Sequence, residues 1–351
     1  MLVNLDEDLS RVGAWVYYKL PHQDTIHIII SEHAPLVADS FVQINDFEGF
    51  VIAPFALTSD TPLILIHGKE QVVRLDDLAL PMIFSYDPLE KNVQAEFAAY
   101  QKDFSTFIEA LHCDMYKKLV LARKHTVELD RPFEADDLFV KACHAYPEAF
   151  VYQFGTEYTG IWMGATPEPL LVRGGDGSCH TVSLAGTVEL MDDDLKSRKN
   201  TLEQAVVTDY ISDILTEFGI SFQRSDPYSF ATAHLKHLKT DFTFRFPNSM
   251  PLHQLIEALY PTPAVCGLPK EQAKQFILDH ESMDRSYYAG FLGPKKQGEI
   301  NFYVNLRCLQ SAPNSPQIHM YAGGGLLKSS NLNDEWMETN DKINTLLSLI
   351  K

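Results

Sequence analysis

The sequence predicts an α+β fold in which antiparallel β-sheets form a layered core and helices pack outside it. Short apolar strands follow one another through turns rich in glycine and proline, and long amphipathic helices are inserted between them at irregular intervals. Consecutive hairpins of this kind are typical of antiparallel sheets, whereas a doubly wound parallel sheet needs regular alternation of strand and helix.

The first part of the chain is predicted to consist mainly of strands. Up to about residue 86, turn residues separate apolar runs such as HIIIS from His27, GFVIAPFAL from Gly49 and TPLILIHG from Thr61. Apolar residues at helical intervals then predict a helix from Phe97 to Leu111. No repeat, low-complexity tract or flexible linker divides the chain, so we expect a single domain over residues 1–351. This first part offers no side chains with recognisable chemistry.

Strands and longer helices alternate irregularly from Tyr116 onward. KKLVLARKHTVEL is a predicted strand, and PEPLLVR and SCHTVSLAGT form a predicted hairpin around GGDG. DDLKSRKNTLEQAVVTDYISDILTEFG predicts a long amphipathic helix that ends at Gly219. YYAGFLG, EINFYVNLRCLQ and PQIHMYAGG are predicted to form an antiparallel meander.

The C-terminal segment AGGGLLKSSNLNDEWMETNDKINTLL combines a glycine run with a charged helix. The glycines close an apolar strand, and after a polar linker a helix presents Glu335, Glu338 and Lys342 at spacings of three and four. Residues at these spacings share one helical face. Two carboxylates and an ammonium just after a turn with almost no side chains suit a site for a small charged ligand. A solvated helix with an internal ion pair is the alternative.

Composition excludes several classes of partner. The formal net charge is −18, with 29 Lys and Arg against 47 Asp and Glu, so nucleic acid and anionic membranes are not expected to bind. Five scattered cysteines without a C-x-x-C pair argue against disulfides and a thiolate zinc site, and favour a reducing cytoplasm. The acidic start MLVNLDEDLSR is unlike a signal peptide, and no run approaches the roughly 20 apolar residues of a membrane span. We expect a cytoplasmic monomer.

Lys118 and Glu168 are the candidate acid–base residues. Lys118 lies inside an apolar strand, on the same face as Val120 and Ala122. It is either at a sheet edge with its amine in water, or buried and uncharged, as a general base must be. Glu168 is held between Pro167 and Pro169, which fix the backbone on both sides.

The hairpin should bring Glu168 beside the SLAGT end of the partner strand. Gly186 would then leave room there for a ligand. An exposed glutamate at a strand end is the alternative for Glu168.

Glu203 and Glu338 come from two separate helices and could share a metal ion. Two carboxylates with waters and ligand oxygens suit Mg²⁺, which prefers six oxygen ligands. Glu203 could instead be a residue at the boundary of the buried helix face.

Arg307 interrupts the apolar strand FYVNLRCL, close to Tyr288 on the neighbouring strand, and an arginine there usually has a carboxylate partner from the protein or from a ligand. Arg285, four residues after Glu281, is interpreted as a structural helix pair.

Nine segments, taken in their order along the chain, resemble the chorismate-utilising enzymes. This family includes isochorismate, salicylate, anthranilate and aminodeoxychorismate synthases. The resemblance runs from about Tyr116 to the C-terminus, and the first hundred residues match only loosely. It rests on KLVLAR, GATPEPLL, SLAGT, KNTLEQAVV, HLKT, PTPAVCGLP, ESMDRSYYAGFLG, NLR and AGGGLLKSSNLNDEWMETNDK.

Two positions resemble the isochorismate synthase branch. Aminodeoxychorismate synthases carry a nucleophilic lysine where this chain has Ala185, and ammonia-using enzymes and salicylate synthases tend to have a hydroxyl residue where Ala264 stands. The resemblance therefore implies formation of isochorismate from chorismate by water, for menaquinone or siderophore synthesis. A salicylate synthase that also eliminates pyruvate, or a non-catalytic chorismate-binding descendant, is the alternative.

The resemblance also implies a role for each site residue. Uncharged Lys118 would take a proton from water, which attacks the ring carbon next to the carboxylated one, and protonated Glu168 would give its proton to the departing hydroxyl. Glu203 and Glu338 would hold Mg²⁺ on the ring carboxylate, with Glu335 supporting the ion through water. The remaining positions implied for substrate binding are Gly186, Thr187, His237, Ala264, Tyr288, Arg307, Gly323, Gly325 and Lys342.

Three positions depart from the family pattern. The usual glutamate–histidine pair of the long helix is Glu203–Gln204, the acidic residue one turn earlier is Asn200, and Tyr260 replaces a histidine before PTPA. These departures affect the surroundings of the expected metal and leave its direct ligands in place.

Overall fold

The computed structural model describes residues 13–78, 93–190, 194–232, 235–247 and 250–350. The acidic N-terminal stretch, the end of the first predicted strand region and Asp193 of the predicted long helix lie outside these ranges. Within them the chain forms an α+β fold, as predicted, with two large sheets in which every paired strand runs antiparallel.

The first sheet has nine strands, in the order β15-β7-β19-β18-β9-β8-β1-β2-β6. Their bounds are β1 Ala14–Lys19, β2 Thr25–Ser31, β6 Lys69–Arg74, β7 Lys118–Glu128, β8 Phe150–Thr156, β9 Gly160–Thr166, β15 Gly267–Leu268, β18 Cys308–Ser311 and β19 Gln317–Leu326.

The second sheet runs in the order β12-β14-β11-β10-β17-β16-β4-β5-β3, and β13 also pairs with β14. Its strands are β3 Leu36–Ala38, β4 Gly49–Ala53, β5 Leu63–Ile66, β10 Pro169–Arg173, β11 Ser178–Glu189, β12 Phe222–Arg224, β13 Tyr228–Thr232, β14 Leu235–Arg245, β16 Phe291–Lys296 and β17 Glu299–Val304. The N-terminal strands extend both sheets.

The main apolar core lies between the two sheets. Phe150 of the first sheet and Tyr303 of the second stack there, with ring centroids 4.4 Å apart and planes at 6°. Both side chains are buried, as is Trp162. The alternation of side chains along a strand explains this arrangement, because every second residue of β8 and β17 points into the space between the sheets.

Six helices complete the described ranges. They are α1 Val93–His112, α2 Ala135–Ala145, α3 Arg198–Glu217, α4 Leu252–Leu259, α5 Lys270–His280 and α6 Leu332–Ile350. Helices α2 and α6 bury apolar residues, among them Phe139 and Leu346, in a second cluster with Val151 and Met320 of the first sheet. None of the helices in the described ranges is long and apolar enough to span a bilayer.

Local sequence fixes the ends of the helices that carry the site. The Ser197 side chain accepts a hydrogen bond from the backbone amide of Asn200 and caps α3, and Gly219 adopts a φ of +65° just after its end. The Asn331 side chain accepts a hydrogen bond of 2.9 Å from the amide of Asn333 at the start of α6.

The predicted meander is partly wrong. The segment EINFYVNLRCLQ is not one strand, because β17 ends at Val304 in the second sheet and β18 begins at Cys308 in the first. The chain changes sheets at Arg307, which has a φ of +49°. Tyr288 likewise precedes β16 and does not lie on a strand. The glycine run is also not a turn, since Gly323, Gly324 and Gly325 pair with β7 inside β19.

The cysteines are all free, as the sequence predicts, and only Cys113 is exposed. The Glu281–Arg285 pair is confirmed, with Arg285 Nη2 2.7 Å from Glu281 Oε2. Its helical setting is wrong, because Glu281 lies just after the end of α5.

Candidate active site

A cleft between the two sheets collects most of the predicted site residues. Strands β7 and β19 form one side, the end of β11 another, and α3 and α6 close it. All predicted residues except Lys118, Glu335 and Glu338 line it. The lining is Val120, Pro167, Glu168, Leu184, Ala185, Gly186, Thr187, Glu203, His237, Ala264, Val265, Tyr288, Leu306, Arg307, Tyr321, Ala322, Gly323, Gly325 and Lys342.

Lys118 lies directly behind this lining. Its side chain has no exposed surface, and its Nζ is 2.9 Å from Oε1 of Glu203. The angle between these two groups is not that of a hydrogen bond, so the amine has no hydrogen-bond partner among the described residues. The structure therefore shows Lys118 buried, and its amine does not reach water at a sheet edge.

Gly325 makes the meeting of Lys118 and Glu203 possible. A Cβ atom at this position would lie 2.0 Å from Oε1 of Glu203 and 2.7 Å from Cε of Lys118. Any side chain would therefore displace one of the two groups, and the glycine is required by close approach.

Glu168 is a buried carboxyl group on the wall of the same cleft. Its side chain is 4 % exposed. Burial raises the pKa of Glu168 to about 7, although Lys118, Lys342 and Arg307 act in the opposite direction. Thr166 and Val304 fix the backbone on either side, since the Glu168 amide donates to Oγ1 of Thr166 and its carbonyl accepts from the Val304 amide. A carboxyl group with this pKa is about half protonated near neutral pH and has a proton that it can donate.

Gly186 lies at an irregularity in the pairing of β11 with β14, with a φ of +68°. A Cβ atom there would be 2.9 Å from Cβ of Asn200 on α3. The bulge and the packing of Asn200 thus explain this glycine. Gly186 also lines the cleft together with Glu168, and the room it would leave there for a ligand stays a prediction.

His237 orients Arg307. Nη2 of Arg307 donates to Nε2 of His237 at 3.1 Å, and Nδ1 of His237 lies 3.1 Å from Oγ1 of Thr187. Burial, with the charges of Arg307 and Lys342, holds the pKa of His237 well below its usual value. A neutral ring that accepts at Nε2 carries its proton on Nδ1, which then donates to Thr187. Nη1 of Arg307 donates to Oγ1 of Thr345 at 2.8 Å.

Helix α6 brings Glu335, Glu338 and Lys342 beside the glycines of β19. Nζ of Lys342 donates to Oε1 of Glu338 at 2.7 Å and to the carbonyl of Gly323 at 2.8 Å. Burial alone would raise the pKa of Glu338, but Lys342 and Lys199 lower it below its ordinary value. The helical face predicted from spacing is confirmed, and it faces the protein interior.

The carboxylates of this region fit a hard divalent cation such as Mg²⁺. Glu335 is fully buried, and its Oε2 has no hydrogen-bond partner among the described residues. A Cβ atom on Gly324 would lie 3.1 Å from that oxygen and 3.9 Å from Oε1 of Glu338, so both carboxylates approach a point without a side chain. No three His, Cys, Asp or Glu residues form a ready metal cluster in the described ranges. Mg²⁺ needs only one or two carboxylates, with waters completing its shell.

Glu281 and Arg285 form a buried ion pair that connects two segments next to the cleft. Arg285 donates to the carbonyls of Val265 and Val120, each at 2.8 Å, and Glu281 accepts from the amide of Ala122 at 2.9 Å. This buried pair ties the segment that carries Ala264 to the strand that carries Lys118.

Sequence reasoning missed Lys199, Tyr321 and Thr345. Nζ of Lys199 is 2.5 Å from Oε1 of Glu335 and 4.0 Å from Oε2 of Glu338. Burial lowers the pKa of Lys199, but Glu338, Glu335 and Glu203 outweigh it and raise the value above its usual one. One signal could have revealed this residue, because Lys199 precedes Glu203 by four positions on one helix face. Tyr321 stacks on Tyr288 with ring centroids 5.6 Å apart, which no local pattern indicates.

Several similar proteins are named isochorismate synthases. Isochorismate synthase EntC of Escherichia coli (strain K12) is 28% identical over 244 residues, which are 66% of this chain and 62% of EntC. Isochorismate synthase MenF of Bacillus subtilis is 28% identical over 323 residues, 84% of this chain and 67% of that protein. The match thus spans less than two thirds of EntC.

Solved structures share the fold. The putative 2,3-dihydroxybenzoate-specific isochorismate synthase DhbC from Bacillus anthracis superposes with a TM-score of 0.79 at 21% identity, over 99% of this chain and 98% of that one. MenF, the menaquinone-specific isochorismate synthase from Escherichia coli, gives a TM-score of 0.78 at 19% identity, over 97% of this chain and 89% of that one.

The family model for chorismate binding enzymes matches residues 65–351. This match covers the cleft, helices α1 to α6 and the strands from β6 onward, and it confirms the resemblance inferred from the motifs. The chain belongs to the family of chorismate-binding enzymes.

Proposed function

We propose that this protein converts chorismate to isochorismate, as the names of its relatives suggest. One observation carries the proposal: a buried carboxyl group with a pKa of about 7, Glu168, lines a cleft, and a buried amine, Lys118, lies directly behind the lining of the same cleft. An acid and a base held in one partly apolar site are what displacement of one hydroxyl by water requires.

Lys118 is the proposed general base. In the proposed step, its amine accepts a proton from water as the water oxygen bonds to the ring carbon next to the carboxylated one. The double bonds of the ring then shift. Strand β7 holds the amine in place, since the neighbouring Leu119 and Leu121 are fully buried and Val120 is tied to Arg285.

Glu168 is the proposed general acid. As the ring double bonds shift, the bond to the other ring hydroxyl breaks, and Glu168 gives its proton so that the group departs as water. One water enters and one leaves, so the reaction is an isomerisation. The Glu168 pKa of about 7 keeps a large protonated fraction available near neutral pH.

Charged groups of the cleft suit a substrate with two carboxylates. Arg307 and Lys342 provide positive charge for the enolpyruvyl carboxylate, and neutral His237 holds Arg307 without adding a charge of its own. Glu203 and Glu338 would hold Mg²⁺, with Glu335 supporting it through water. The bound ion would supply positive charge for the ring carboxylate. These positive charges would offset the repulsion between an anionic substrate and a protein with a net charge of −18.

The test is incubation of purified protein with chorismate and Mg²⁺, followed by chromatographic separation of products. We expect isochorismate to accumulate. Salicylate together with pyruvate would replace this proposal by a salicylate synthase. Binding of chorismate without any product would show a non-catalytic descendant.

A further inference from the structure

Lys199 forms ion pairs with two of the carboxylates assigned to the proposed metal site. Its Nζ is 2.5 Å from Oε1 of Glu335 and 4.0 Å from Oε2 of Glu338. Glu203 follows one turn later on α3 and also interacts electrostatically with Lys199. The three carboxylates whose charges act on this ammonium are the same three proposed above for the Mg²⁺ site.

The side chains of Lys199 and Glu335 differ in their freedom to move. Glu335 has no exposed side-chain surface, whereas 26% of the Lys199 side chain is exposed. Lys199 also lies in the first turn of α3, one residue after its first, and its four-carbon chain can swing outward. A carboxylate buried on α6 has no comparable route to water.

We propose that Lys199 is an internal counter-cation that competes with the divalent metal. Its ammonium neutralises the cluster in the metal-free protein and withdraws toward solvent when Mg²⁺ binds. Two cations held by one set of carboxylates repel each other and share the same oxygens, so each weakens the binding of the other. This inference rests on the proposed function for its metal, and it concerns affinity rather than chemistry.

The experiment measures metal binding directly, without substrate. Mg²⁺ is titrated into the wild-type protein and into Lys199→Met by isothermal calorimetry, and Mn²⁺ binding is followed by electron paramagnetic resonance. Loss of a charge-assisted contact predicts that Lys199→Met binds either ion about tenfold more tightly. Lys196→Met is the matched control, because Lys196 is exposed in the segment just before α3, and its affinity should equal that of the wild type.

Thermal unfolding provides a second measurement. Without metal, Lys199→Gln should melt at a lower temperature than the wild type, because three carboxylates lose their counter-cation. Saturating Mg²⁺ should raise its melting temperature more than it raises that of the wild type. If Lys199→Gln folds poorly, Lys199→Arg keeps the charge and should bind Mg²⁺ no more tightly than the wild type.

Equal or weaker metal binding by Lys199→Met would overturn the competition and leave the proposed function intact. If no variant and no wild-type protein binds Mg²⁺ or Mn²⁺, the competition and the metal role both fail. The activity assay with chorismate then shows separately whether the proposed reaction survives without metal.

Discussion

Lys118 and Glu203 meet behind the cleft, with Nζ 2.9 Å from Oε1 and with no exposed surface on the lysine side chain. The amine comes from β7 and the carboxylate from α3, and Gly325 of β19 leaves the space in which they meet. A strand, a helix and a glycine thus place the proposed base next to a proposed metal ligand.

Replacing Lys118 by Met should strongly reduce turnover and leave the fold intact. Methionine fills a similar volume but cannot accept a proton, so we expect a loss of about 100- to 10,000-fold in kcat. The rate of isochorismate formation measures this, with circular dichroism as a check of folding. Lys117→Met is the control, because Lys117 is the adjacent residue and is exposed. Equal activity in the two variants would exclude Lys118 as the base.

Activity should fall as pH rises through about 7, because only the protonated form of Glu168 can donate. The dependence of kcat/KM on pH in the wild-type protein should therefore show a descending limb near that value. Glu168→Gln should lose this limb and at least about 100-fold in rate. Glu157→Gln changes an exposed glutamate in a turn and should keep the wild-type profile. A limb unchanged in Glu168→Gln would assign it to another group.

Glu168 should also make stability depend on pH. Its pKa of about 7 in the folded protein lies above the ordinary 4.5, so the folded state holds a proton that the unfolded state has lost between these values. Its contribution is fully present below about pH 4.5 and declines as pH rises through 7.

Glu168→Gln removes this decline. Relative to the wild type, its free energy of unfolding should therefore increase between pH 5 and pH 8, by on the order of 2–3 kcal/mol. Urea unfolding at both pH values measures the difference, with Glu157→Gln as the control. A difference that does not change with pH would contradict the raised pKa.

Removal of divalent metal by EDTA should stop the reaction, and added Mg²⁺ should restore it. Glu338→Gln removes a proposed ligand and should raise the Mg²⁺ concentration for half-maximal activity at least about tenfold. Asp334→Asn is the control, because Asp334 is exposed on the same helix. Full activity in EDTA would show that the reaction needs no divalent metal. An unchanged Mg²⁺ requirement in Glu338→Gln would show that Glu338 is not a ligand of the metal.

The sequence predicted those parts of the site that one element defines. Lys118 was recognisable as a charge inside an apolar strand, and the contact of Glu338 with Lys342 follows from their four-residue spacing on one helix. The hairpin that carries Glu168 followed from two apolar runs around a glycine turn, and the antiparallel pairing of Val172 with His180 confirms that hairpin.

The remaining features depend on contacts between distant elements. Arg307 adopts a positive φ without being a glycine, so its strand seemed continuous although the chain changes sheets there. Lys199 reaches Glu335 across 136 residues of sequence, and only the packing of α3 near α6 brings them together. The sequence also did not show that the N-terminal strands belong to both sheets. The alternation of apolar residues along a strand indicates a buried face, but it does not indicate which strand lies beside it.

Reaction in water enriched in oxygen-18 tests the central claim most directly. Mass spectrometry at low conversion follows the label before the reverse reaction can mix it. Attack by water activated at Lys118 predicts isochorismate with one heavy oxygen and unlabelled remaining chorismate. Isochorismate without label would mean that the original hydroxyl migrates, and the roles given to Lys118 and Glu168 would then be wrong.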